Sequence, residues 1–301
     1  MHHRIAFLAP LLVLTLAATA SAETKSYAAI KTKLPGPTAV VVGIDIKAAR
    51  AAAAFPKLLE AAIAESSDVK QALELVKSIC NIDPIASLSD ATIVADLDDK
   101  IVVVLGLDGI DEAKISGCVN KIIQKSDPKG KLTAKPGKVT EYSMTGEKQK
   151  LYAAWLAKDV VAFSSNAERR EVLDAVIAGK PATGDLAAMV ARTNVNAFAF
   201  AAAALNKEGV KGLLGSLQLA KGQLALAAKV VAVDAKTGGT LLADGKKELA
   251  ELIKRTDNKS PMVKVLKAIK VGGNGAELSI DLALPEADLP ALIPAFGKLL
   301  Q

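Results

Sequence analysis

The apolar runs of this chain arrive in pairs joined by short polar turns, and this pairing limits its fold more than any other feature. Two such pairs are Ala91–Leu97 with Lys100–Leu105, joined by Asp98-Asp99, and Ser216–Ala220 with Gln223–Asp234, joined by Lys221-Gly222. A further apolar run, Ala276–Leu284, follows the turn residues Asn274-Gly275. Asn-Gly flanked by apolar residues is a strong hairpin signal. Strands that are joined as hairpins predict antiparallel sheets.

Helical patterns alternate with these hairpins, which predicts an α+β fold with helices packed on one face of the sheet. The order strand, helix, hairpin, helix, hairpin, helix occurs in residues 38–193 and again in 194–301, which predicts an internal tandem duplication. In the second half, Asn196–Leu205 is a strand with helix as the alternative, and Gly209–Leu214 is a short helix. The order of elements leaves open whether the two halves share one sheet.

The first 22 residues have the features of a cleavable export signal. Arg4 precedes an uncharged stretch from Ile5 to Ala20, and Ala20-Ser21-Ala22 forms a small-residue cleavage site. The stretch is shorter than the roughly 20 apolar residues that span a bilayer. We therefore expect a mature, soluble chain that begins near Glu23 with a polar leader, residues 23–37, and has no transmembrane segment.

Composition argues against nucleic acid as a partner. The net charge is +6, but the cations are mostly scattered lysines and aromatic residues make up only 3% of the chain. Nucleic-acid surfaces use arginine forks and aromatic stacking instead. The lysine-rich segment from Lys121 to Lys150 is predicted to be a solvated loop, with peripheral contact to anionic lipid as the alternative.

The chain has two cysteines, Cys80 and Cys118, and each lies on or beside the apolar side of a predicted helix. An exported chain folds in an oxidising compartment. The pattern predicts a disulfide between the two helices, with buried free thiols or a reactive thiol as the alternatives.

The residues needed for the common catalytic chemistries are missing. Both histidines, His2 and His3, lie in the export signal, so the mature chain has no imidazole for proton transfer or metal ligation. We assign no catalytic, cofactor-binding or metal-binding residue and predict that the protein is not an enzyme.

Three local features have a functional and a structural interpretation, and the structural one is favoured for each. The acidic residues Asp96, Asp98, Asp99, Asp108 and Asp111 are assigned to a turn and a helix start, with calcium binding as the alternative. The segment Gly239–Lys247 departs from the phosphate-binding loop in its spacing and lacks the hydroxyl residue after lysine. Trp155 is expected to share a strand face with Ala153, opposite Tyr152, and to serve core packing rather than a ligand.

A few short segments resemble uncharacterised bacterial exported proteins. They are Leu34–Asp45 followed by an alanine-rich helix, Asn81–Pro84 followed by the strand Thr92–Ala95, and the strand-to-helix step Asp159–Leu173. This resemblance implies a bacterial envelope setting and no activity.

These observations lead to a ranked set of hypotheses. The first is a non-enzymatic binding protein, periplasmic or else extracellular, whose partner is an unknown envelope protein. The second is a carrier of an apolar small molecule or lipid. The third is a hydrolase that uses carboxylates.

Overall fold

The computed structural model describes residues 23–36, 38–52, 56, 67–96, 100–146, 148, 150–164, 166, 168–220 and 222–288. The helices of this part of the chain are α1 (Lys25–Ile30), α2 (Ile46–Ala51), α3 (Ser67–Cys80), α4 (Pro84–Ser87), α5 (Glu112–Ser126), α6 (Arg170–Ile177), α7 (Gly184–Arg192), α8 (Ala235–Arg255) and α9 (Pro261–Ala268).

The described strands form one antiparallel sheet. They are β1 (Thr38–Ile44), β2 (Leu88–Asp96), β3 (Ile101–Leu107), β4 (Leu132–Lys135), β5 (Thr140–Met144), β6 (Lys150–Ala157), β7 (Val160–Ser164), β8 (Ala199–Lys207), β9 (Val210–Ala220), β10 (Gln223–Ala232), β11 (Lys270–Asn274) and β12 (Glu277–Pro285). Their order across the 12-stranded sheet is β11-β12-β10-β9-β8-β1-β2-β3-β7-β6-β5-β4. The predicted α+β class with antiparallel pairing is confirmed, and both halves contribute to a continuous sheet.

Capping side chains set where several helices begin. In each case a side-chain oxygen accepts a hydrogen bond from a backbone N–H in the first turn, which satisfies a donor that the helix itself leaves unpaired. These caps are Asp45, Asp83, Asp111, Asp234 and Ser260.

One face of the sheet, which we call the α1 face, carries the largest core. It presents Val41, Val94, Val104 and Ala162, and α1, α6 and α7 pack against it. Phe200 in β8 belongs to the same cluster. This core therefore crosses the boundary between the two halves.

The leader is part of this core and is not a solvated extension. Tyr27 and Ile30 of α1 are buried, and the Tyr27 ring meets the edge of Phe200 at 4.9 Å between centroids. The backbone N–H of Ser26 donates to Asp90 Oδ1 at 2.7 Å, and Ser26 Oγ lies 2.8 Å from Thr92 Oγ1. The Asp90 carboxylate of β2 thus accepts a hydrogen bond from the N-terminal turn of α1 and attaches the leader to the sheet.

The opposite side of the sheet, which we call the disulfide face, presents Val42, Ile93, Val103 and Phe163. Helix α5 packs there through Ile115, beside Leu105 and Trp155. At the other end of the sheet α9 packs Val265 against Leu282 and Leu284. The helices thus divide between two faces, so the expectation of helices on one face is corrected. The strands of the first half are apolar on both sides and need a cover on each.

The strand order repeats outward from the β1–β8 seam. In one direction it runs β1-β2-β3-β7-β6, and in the other β8-β9-β10-β12-β11. In each direction a helix-bearing connection separates the first three strands from the last two. The helix predicted at Gly209–Leu214 is wrong, because Val210–Leu214 begin β9 and pair with β8 and β10.

Candidate binding surface

The two cysteines are joined as predicted. Cys80, the last residue of α3, forms a disulfide with Cys118 in α5, with 5.1 Å between their Cα atoms. Helix α3 has a half-buried apolar side that includes Leu73 and Val76, and Leu75 is 41% exposed. The disulfide is therefore a main attachment of α3 to the disulfide face.

The acidic residues that sequence grouped together are separated by the fold and engaged in structure. Asp96 is buried and accepts from the backbone N–H of Lys100 at 2.9 Å. Lys25 donates to Asp108 at 3.0 Å, and this hydrogen bond holds the pKa of the carboxyl below its usual range. Asp111 caps α5, and Asp98-Asp99 lie outside the described residues. Within the described ranges no group of acids, histidines and cysteines could hold a metal ion.

The lysine-rich segment is mostly ordered structure, so its assignment as a loop is corrected. It comprises the end of α5 and the hairpin β4–β5 at the edge of the sheet. Glu141 pairs with Lys150 at 2.9 Å and with Lys135 at 3.6 Å. The hydrogen bond from Lys150 keeps the pKa of Glu141 below its usual range. Strand β4 is short and was hidden by its lysines and by Pro136.

Two further sequence features have defined places. The segment Gly239–Lys247 lies inside α8, so it forms no phosphate-binding loop. Trp155 and Ala153 share the disulfide face and Tyr152 lies on the α1 face, as predicted. Tyr152 lies under the guanidinium of Arg170, at 5.8 Å from its ring centroid.

An apolar strip that is not evident from the sequence crosses the centre of the disulfide face. It consists of twelve residues from β2, β1, β8 and β9, placed side by side by the strand registers, and we call it the central strip: Ala91, Ile93, Ala95, Val40, Val42, Ile44, Ala199, Ala201, Ala203, Leu213, Gly215 and Leu217. Every member is apolar.

The central strip is partly open. Ile44 is 37% exposed, Ile93 40% and Leu213 39%. Besides the helices of the α1 face, α2 contacts β2, α5 packs toward β3 and β4, and α8 and α9 pack on β10, β11 and β12. The central strip lies between the part of the sheet that α5 covers and the part that α8 and α9 cover. The α1 face of the same strands is buried by contrast, with Val41 and Val94 at 1% exposure or less.

A patch of solvent-exposed large apolar side chains marks a surface for association with a partner. A lone exposed leucine would need no explanation, but these three lie on β1, β2 and β9 within a strip that has no polar member. Because the alanines and the glycine have a small side chain or none, a bound group can approach the backbone of the strip closely. The alternation of valine and isoleucine in β1 and β2 could have revealed the strip, but the same pattern is typical of strands buried on both faces.

No helix in the described part of the chain is long and apolar enough to cross a membrane.

Comparisons with known proteins give a distant structural likeness only. No protein-family model matches the chain, and no curated protein matches it. The structure is similar to crystal form III of TP0453, with 10% sequence identity and a TM-score of 0.49, over 90% of this chain and 98% of that one. Crystal form I of TP0453 gives 11% identity and a TM-score of 0.46, over 91% and 98% of the two chains. At these values the likeness identifies neither a family nor a function.

Proposed function

We propose that this protein is a non-enzymatic binding protein of the cell envelope, and that the central strip is the surface on which it binds an apolar partner. The observation that carries the proposal is the two-fifths exposure of Ile44, Ile93 and Leu213 within one strip of apolar residues. Burial of such side chains contributes about 25 cal/mol per Å² removed from water, so a partner that covers the strip gains stability from it.

Export is the second element of the proposal. The signal at residues 1–22 and the disulfide between Cys80 and Cys118 both suit an oxidising compartment, of which the periplasm is the first choice. We expect the protein recovered from a periplasmic extract to begin at Glu23. N-terminal sequencing of that product tests this, and a product that retains Met1 would contradict it.

The absence of catalysis is proposed from the side chains themselves. The mature chain has no histidine, its two cysteines are joined, and Asp96 and Asp108 are engaged by lysines. A protein partner is favoured over a carried lipid because the strip is an open surface, whereas a carrier encloses its cargo.

The strip is tested by replacing two of its exposed residues and measuring binding of the fluorescent probe 1-anilinonaphthalene-8-sulfonate. Ile93→Thr combined with Leu213→Thr keeps residues suited to strands while removing apolar surface. We expect probe binding to fall about fivefold or more. Val233→Thr is the matched control, because Val233 is 57% exposed but lies outside the strip.

Native mass spectrometry of the protein isolated from its own envelope fraction then identifies the occupant. A protein retained by the wild type and lost from the double variant supports the proposal, whereas a retained lipid would favour the carrier. Equal probe binding by the wild type and the double variant would refute the strip as the binding surface.

A further inference from the structure

A second concave site lies away from the central strip, where the beginning of α5 meets the β4–β6 end of the sheet. The cleft has a volume of about 550 Å³ and mostly apolar walls. Trp155 forms part of its lining, and its polar wall groups are Asp111, Glu112, Ser116 and Lys158.

Hydrogen bonds fix the aromatic and acidic walls relative to each other. Trp155 Nε1 donates to the Tyr142 hydroxyl at 3.1 Å, and this hydroxyl donates to Glu112 Oε1 at 3.2 Å. Burial raises the pKa of Tyr142, so its hydroxyl keeps its proton at neutral pH. One carboxylate is thereby held on the same wall as the indole ring.

The cleft is lined by more negative than positive side chains, whereas the whole chain is positively charged. The chain has a net charge of +6, yet neither Asp111 nor Glu112 forms an ion pair with any described residue. The buried Oγ of Ser116 lies beside the Tyr142 hydroxyl in the same wall. The cleft thus combines an aromatic surface with two carboxylates and one cation, Lys158.

We propose that this cleft binds an organic ammonium ion. The electron-rich face of an indole attracts an alkylammonium group, and tryptophan is the best of the aromatic residues for this contact. Glu112 and Asp111 supply the opposite charge. The apolar walls cover the carbon part of the ligand, as is usual in small-molecule sites.

Trp155 is the chain's single tryptophan, so intrinsic fluorescence reports directly on the cleft. The probe is choline, titrated into the mature protein at constant ionic strength, and its uncharged analogue of the same shape is 3,3-dimethylbutan-1-ol. We expect a saturable change of Trp155 emission with choline, and binding of the alcohol about tenfold weaker or more. Equal responses to both compounds would show that charge has no part in recognition and would overturn the proposal.

Substitutions identify the charge that matters. Glu112→Gln keeps the acceptor for Tyr142 and should weaken choline binding about tenfold, whereas Glu248→Gln on the exposed surface of α8 should leave it unchanged. Lys158→Gln removes the cation of the lining and should tighten binding several-fold. Far-UV circular dichroism checks that each variant is folded. Unchanged affinity in both cleft variants would contradict the proposed site.

Discussion

The most demanding single positions in this protein are those where backbone or polar atoms are packed without space. Asp90 is 3% exposed and accepts hydrogen bonds from the Ser26 N–H and from Ser89 Oγ. A buried carboxylate is tolerated when such donors satisfy it. Sequence alone places Asp90 beside a strand, but its role depends on α1, which lies more than sixty residues earlier in the chain.

Position 179 also requires its residue, glycine, because of a contact with a part of the chain that is distant in sequence. It stands where Leu34 and Lys180 pair through two backbone hydrogen bonds of 3.0 and 3.1 Å. A methyl group there would overlap the carbonyl oxygens of Lys33 and Leu34. The sequence predicts only that Gly179 ends a helix, because the leader segment that passes over it is distant in sequence.

We expect Gly179→Ala to lower the free energy of unfolding by about 2 kcal/mol, because backbone atoms must move to admit the methyl group. Gly117→Ala is the matched control. Gly117 lies within α5 and has no atom near its added methyl group, so the better helix propensity of alanine should stabilise by about 0.5–1 kcal/mol. Urea denaturation measures both variants. Equal effects of the two substitutions would show that the leader does not press on Gly179.

Among the elements, α3 depends most on a covalent attachment. Its described residues are exposed or half-buried, and the Cys80–Cys118 bond joins it to α5 across a sequence separation of 38. Closing a loop of that length lowers the entropy of the unfolded chain and so stabilises the folded protein by about 4 kcal/mol.

We therefore expect the double substitution Cys80→Ser and Cys118→Ser to destabilise the protein by about 3–4 kcal/mol and to release α3 first. Hydrogen exchange should accelerate in residues 70–80 while α6, which buries Val172, Leu173 and Val176, stays protected. Uniform acceleration in both helices would mean that α3 is held by packing rather than by the disulfide.

How well elements could be predicted depended on their side chains. The hairpin β2–β3 and helices α3 and α5 show clear periodicity, and their bounds in the structure lie within three residues of the predicted ones. The predicted bounds are Ala91–Leu97 and Lys100–Leu105 for the hairpin, and Asp68–Cys80 and Asp111–Lys125 for the helices. Gly209–Leu214 was predicted as a short helix, but pairing of Val210–Leu214 with β8 and β10 overrides any local preference for one. The central strip could not be predicted, since sequence shows which residues are apolar but not which face the described helices leave open.

On the scale of the whole molecule, the seam between the halves decides how the protein unfolds. Strand β1 pairs with β8 in register from Val40–Ala203 to Ile44–Ala199, and Phe200 shares the core of the α1 face with Tyr27. A core that crosses the seam should make the two halves unfold together, because neither can lose its packing without exposing the other.

Phe200→Ala tests this coupling across the seam. Phe200 is 3% exposed, and removing a buried phenyl ring should cost about 3–5 kcal/mol. The substitution lies in the second half, whereas Trp155, the optical probe, lies in the first. If the halves are coupled, the urea midpoint measured by Trp155 fluorescence falls as far as the midpoint measured by far-UV circular dichroism. A Trp155 transition that keeps the wild-type midpoint while circular dichroism shows an earlier step would show that the halves unfold separately, because the lost contacts would then matter only on one side of β1.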